Sequence, residues 1–195
     1  MISLPTLFWI MIIFFGLIGT LRGWGQEAIA AAGLVLSLFT QLWFGHYLVE
    51  LFVPDASTPE QAWKIQFYVR AAAHLLITFF AYQGPTIARR VSSGKFGNLT
   101  RSNVQDSLLG FVIGVINGYL VVGALWSFLE FDIGADKLIT RYGMGIPYPF
   151  RPEIIKRMFE GAAWEMGAWL PLPLLQAWLP FMVVVFFLFV IVVMI

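Results

Sequence analysis

The 195-residue chain contains no cysteine. Disulfides, thiolate-held metals, iron–sulfur clusters and covalently attached haem are therefore excluded. Charge is scarce too. Asp, Glu, Lys and Arg make up 12% of the residues, about half the roughly 25% of a typical soluble domain. Hydrophobic residues make up 59%, so the polar side chains cannot cover a water-facing shell, and the composition implies an integral membrane protein. Twelve basic residues against eleven acidic ones leave a net charge of +1, which lacks the basic footprint of a nucleic-acid binder. There is no glycine-rich phosphate loop, no nucleophile elbow and no carboxylate pair inside an apolar run. We expect no enzyme activity and no cofactor. The N-terminus has no positive n-region, and the apolar run from Leu4 is long for a signal-peptide core, so it reads as a retained helix.

What is present is helix. About 20 apolar residues cross the hydrocarbon core. Runs of that kind fall at about 4–21, 27–52, 65–88, 107–128 and 174–195. The third carries Arg70 and His74 in its first half and a Gly84-Pro85 break near its end. This predicts an all-α, single-domain membrane protein of four to five transmembrane helices. Within the long fourth connection, residues 152–169 ("PEIIKRMFEGAAWEMGAW") repeat apolar side chains at helical spacing, with charged i,i+4 pairs opposite. They predict an amphipathic interfacial helix, lying on lipid or docked on protein. The Arg22 turn and the stretch 88–101, with Arg89, Arg90, Lys95 and Arg101 and no acid, read as cytoplasmic. Five crossings then put the N-terminus outside and the C-terminus in the cytoplasm.

Small residues recur four apart. Gly19 and Gly23, then Ala28 and Ala32, flank the first turn, and Gly110, Gly114 and Gly118 line the fourth helix. Such spacing lets backbones approach closely in lipid. It predicts a tight hairpin of the first two helices and a groove on the fourth that accepts another helix. Ser102 with Gln105 forms a capping box, and Asp106 adds negative charge at the fourth helix's start. Asn117, beside the glycine stripe, reads as interhelical glue. Arg22 and Glu27 read as a topological anchor and turn brace, the other reading being a part in ion or substrate passage.

The hairpin residues Gly19, Arg22, Gly23 and Glu27, with Gly33, together with the run Asp106, Gly110, Gly114 and Gly118, resemble the hallmarks of the colicin V production protein family over about residues 4–126. The resemblance implies a small multi-helix protein of the bacterial inner membrane, associated with toxin export or production and with envelope stress. Two departures remove charge. "SLPTLF" lacks the acid often found at the start of the family's first helix, and Asn117 stands where a basic residue often precedes the third glycine. Both argue against conduction or transport.

His46 and Glu50, four apart, read as an interfacial hydrogen bond rather than as a metal site shared with His74, and Arg70 reads as a snorkelling side chain near the outer surface. Trp24, Trp43, Trp63, Trp126, Trp164, Trp169 and Trp178 read as an interfacial belt. The expected function is a structural or accessory subunit that packs on a larger membrane complex, through the glycine stripe and the uncharged last helix. A small transporter or export component is the alternative. The expected partners are the lipid bilayer and other membrane subunits, or a second copy of the chain.

Overall fold

A computed structural model describes residues 3–54, 58–91, 104–142, 146–150 and 165–194. The protein is an all-α multi-pass membrane protein. Among the described residues, three helices are long and apolar enough to cross a membrane: Leu4–Arg22, Pro59–Gly84 and Val104–Glu130. In chain order the elements are α1 (Leu4–Arg22), α2 (Trp24–Trp43), α3 (Gly45–Glu50), α4 (Pro59–Val91), α5 (Val104–Glu130), strands β1 (Phe131–Ile133) and β2 (Ile139–Arg141), a 3-10 turn (Met166–Trp169), α6 (Pro171–Leu175) and α7 (Leu179–Met194). Ser3 caps α1 by accepting from the Thr6 N–H, and Pro5 sits in its first turn, where a missing N–H costs nothing.

The first two helices are not the tight pair that their short turn predicts. α1 packs along α5, while α2 forms the centre of the bundle against α4, α5 and α7. The reason is glycine on both sides. Gly19 of α1 faces Gly110 and Gly114 of α5, and Gly118 lies against Ile12 and Phe15. Backbones approach more closely there than the alanines of α2 would allow. The groove predicted on the fourth helix is thus filled by the chain's own first helix. At the turn, Gly23 has φ +82, a left-handed conformation that favours glycine. The core is built by Leu34, Val35 and Leu38 of α2 with Leu120, Ala124 and Phe128 of α5, all buried.

Three boundaries differ from expectation. The second helix does not run 27–52: it stops at Trp43, Phe44 adopts φ −120, and α3 restarts at Gly45. The Arg70 guanidinium occupies the space a Cβ on Gly45 would need and takes the Gln41 carbonyl at 2.8 Å, ending the helical ladder there. The third helix starts at Pro59 and continues through Gly84-Pro85 to Val91, because proline's fixed φ is helical and its cost is local. The long fourth connection opens with an antiparallel hairpin, Phe131 opposite Arg141 and Ile133 opposite Ile139. The last helix begins at Leu179 after the separate short α6. The amphipathic helix expected at 152–169 falls on residues 152–164, outside the described residues, followed by the 3-10 turn. The basic stretch from 92 and the Ser102 capping box also lie outside them.

Candidate functional site

α2 and α4 run antiparallel, and their polar residues meet in pairs across the interface: Glu27 with Tyr82, Ser37 with His74, Gln41 with Arg70. On α4 the polar positions are Arg70, His74, Thr78 and Tyr82, four apart, so they share one face. That face points inward: Arg70, His74 and Thr78 are buried, as are Glu27, Ser37 and Gln41 of α2 and Asn117 of α5. The result is a polar seam through a bundle whose outer surface is apolar.

One end of the seam is an ion cluster. Glu27 is fully buried, and its Oε1 lies 2.9 Å from Arg22 Nε. Asn117 Nδ2 donates to Glu27 Oε2 at 2.7 Å and to the Glu27 carbonyl at 3.0 Å. The Tyr82 hydroxyl donates to Oε2 at 3.2 Å. Arg22 in turn donates to the Tyr82 carbonyl at 3.1 Å and lies 4.4 Å over that ring. Four helices (α1, α2, α4 and α5) therefore converge on one carboxylate. Asp106 closes the end of the bundle by accepting from the Trp24 N–H at 3.1 Å. It joins the start of α5 to the start of α2, where a carboxylate suits both helix dipoles. A Cβ on Gly23 would come within 2.8 Å of the same carboxylate.

The middle of the seam is His74. Its Nδ1 shares a 2.8 Å hydrogen bond with Ser37 Oγ, and the Phe128 ring meets its ring edge-on at 5.8 Å. The far end is a knot around Arg70. Nη1 donates to the Gln41 carbonyl at 2.8 Å and Nη2 to the Ile133 carbonyl at 2.8 Å, while Gln41 Nε2 donates to the Arg70 carbonyl. Arg70 is 1% exposed, which overturns the snorkelling reading: its charge is spent on backbone carbonyls that α2 and β1 leave open, not on the interface. A second buried carboxylate, Glu130, accepts from Trp126 Nε1 at 3.3 Å and from the Tyr148 hydroxyl.

Of the residues singled out from sequence, Arg22, Glu27 and Asn117 come together in the ion cluster, with Gly19, Gly23, Gly110, Gly114 and Gly118 at the α1–α5 contact beside it. The His46 ring lies tilted against that of Tyr47, centroids 3.7 Å apart, and among the described residues no hydrogen bond joins His46 Nδ1 to Glu50. No group of three metal-ligating side chains occurs among the described residues. Trp63 and Trp126 are buried at 2% and 4% exposure, so they are core residues rather than members of an interfacial belt. Tyr82, Thr78, Ser37 and Gln41 were not singled out. The i,i+4 spacing from Arg70 to Tyr82 was the available signal, and it needed only to be followed for two more turns. The two departures that seemed to empty the membrane of charge are offset by Arg70 and Glu27, both inside the bundle.

In comparison with known proteins, the family model described as colicin V production protein matches residues 5–137. That stretch holds α1 from its second residue, α2 to α5 and the whole seam. No curated protein and no solved structure matches the chain.

Proposed function

Because this chain belongs to the colicin V production protein family, we propose that it is a small, non-enzymatic transport component of an export system in the bacterial inner membrane. The observation that carries the reading is Glu27: a fully buried carboxylate, ion-paired to Arg22 and gripped by Asn117 and Tyr82. Ionisable groups inside a membrane bundle are costly, and they mark ion or substrate pathways by default. A packing subunit has no need of one. The accessory-subunit reading also loses its best surface, since a partner helix cannot enter a glycine groove that α1 already fills. What remains outward on α1 (Trp9, Ile10, Ile13, Phe14 and Leu17) suits lipid tails as well as it suits another subunit. The orientation we propose is N-terminus outside and C-terminus cytoplasmic, with five crossings and the Arg22 turn on the cytoplasmic side. The bilayer and further export subunits, or a second copy, are the proposed partners.

The test is purified protein in sealed liposomes with a potassium-diffusion potential and a voltage-sensitive dye. Wild-type protein should dissipate the potential over minutes, and Glu27→Gln should slow this at least tenfold. Its folding is checked by thermal unfolding in mild detergent. Vesicles that stay polarised with folded wild-type protein, together with stoichiometric recovery of a membrane complex on affinity purification, would return the accessory subunit to first place.

A further inference from the structure

The seam contains more hydrogen-bonding capacity than its protein partners use. Thr78 Oγ1, Asn117 Oδ1 and Arg70 Nε are buried without a hydrogen bond, while His74 Nε2 faces the Val121 carbonyl of α5. In a lipid-embedded bundle an unmet polar atom is expensive, and three along one seam indicate a route that water can enter. From Tyr82 to Arg70 the α4 face covers twelve residues, about 18 Å of helix. Each polar side chain sits one turn from the next, roughly 6 Å apart, a gap that a single water bridges.

We propose that this seam is a proton path, entered at the Glu27 cluster and relayed by Tyr82, Thr78 and His74 to Ser37, with the Arg70 knot as the gate at its far side. The inference rests on the transport reading above and names the transported ion. The chemistry fits a proton better than a hydrated cation. Among the described residues no three His, Cys, Asp or Glu side chains gather to hold a metal ion. Along the relay itself the groups are hydroxyls, one imidazole and one carboxylate, all of which pass protons, while the Asn117 and Gln41 amides and the Arg70 guanidinium hold its two ends. At His74 the step balances as an N–H and O–H exchange. Starting from the Nδ1–H tautomer, a proton reaches Nε2, the proton on Nδ1 moves to Ser37 Oγ and the serine hydroxyl hydrogen leaves on the other side; the ring, left as the Nε2–H tautomer, then turns over by releasing Ser37 and the Val121 carbonyl before the next proton. No other bond changes. The groups that face His74 are Ser37 from α2 and, from α5, the Phe128 ring and the Val121 carbonyl, with Arg70 and Thr78 a turn away on α4. The buried carboxylates Glu27 and Glu130 are each engaged elsewhere, by Arg22, Asn117 and Tyr82 and by Trp126 and Tyr148. Beyond Ser37 the Arg70 guanidinium fills the route between α2 and β1, so passage depends on that knot loosening.

Liposomes of phosphatidylethanolamine and phosphatidylglycerol, loaded with a pH-sensitive dye and polarised with potassium and valinomycin, test this. Wild-type protein should acidify the lumen. His74→Gln should reduce the rate at least tenfold, and Ser37→Ala, which leaves the imidazole in place, should reduce it about threefold and alter its pH profile. Charge movement without a pH change overturns the proton assignment and leaves the transport reading intact. Proton movement at the wild-type rate in folded His74→Gln overturns the path. If His74→Gln does not fold, a wild-type rate and pH profile in Ser37→Ala overturns it instead. No movement of charge by the wild-type protein ends both proposals.

Discussion

Leucine at Gly114 should pull α1 off α5. A Cβ there would lie 2.5 Å from the Phe15 carbonyl oxygen and 3.1 Å from the Gly19 Cα, and backbone cannot turn aside as a side chain can. The two helices must separate by the bulk of the new side chain along a contact that also involves Gly19, Gly110 and Gly118. Overpacking a core ordinarily costs about 1–3 kcal/mol. A clash with backbone on a helix pair packed by van der Waals contact should reach the top of that range, about 3 kcal/mol or more. The melting temperature in mild detergent should fall sharply, whereas a leucine at the exposed Val112 of the same helix should leave it close to wild type. Equal melting of Gly114→Leu and wild-type protein would show that the glycine stripe does not hold this pair together.

Removing the guanidinium, Arg70→Ala, should loosen the opposite end. It deletes two charge-assisted hydrogen bonds, to the carbonyls of Gln41 and Ile133, and leaves both acceptors buried. Hydrogen bonds to charged groups contribute about 1.5–3 kcal/mol each, so a loss of about 3–6 kcal/mol is expected. Arg70→Lys should recover little, because an ammonium lacks the planar fork that spans two acceptors. Hydrogen exchange locates the damage: amides of β1, β2 and α3 should exchange much faster, while α1 and the first half of α5 keep their protection. Unchanged exchange across Phe131–Arg141 would show that the knot is not what anchors the hairpin.

Much of this arrangement is legible in the sequence, and the parts that are not share a cause. α1 and α5 declare themselves by length and apolarity. Glycine at position 23 marks the turn, and an Arg–Glu pair five residues apart marks the point where the chain folds back. The stop at Trp43 is invisible locally, because the group that ends α2 is Arg70, on another helix and 29 residues from the Gln41 carbonyl it binds. The choice of α5 over α2 as the partner of α1 is equally non-local. A short turn forces two helices to begin side by side but does not make them pack along their length. The hairpin at 131–141 has strands of three residues, too few for alternation to register. The seam was half legible. The four-residue spacing of Arg70 and His74 puts them on one face, but a charge near a helix end is ordinarily a snorkelling one, and only the packing of α2 and β1 over Arg70 reveals it as interior.

The account turns on whether the seam is wetted from the Glu27 side and closed at Arg70. The chain has no cysteine, so Thr78→Cys introduces a single thiol at a buried position between the Glu27 cluster and His74. Its labelling by Ag+, an ion no wider than a water molecule, added to one side of sealed, oriented vesicles is the most direct measurement. Labelling should proceed from the side of the Arg22 turn and not from the side of the β1–β2 hairpin, while Leu76→Cys on the lipid-facing surface of the same helix stays unlabelled. A thiol at position 78 that reacts from neither side, in protein that melts like wild type, would mean that the seam is dry and its polar residues serve packing alone.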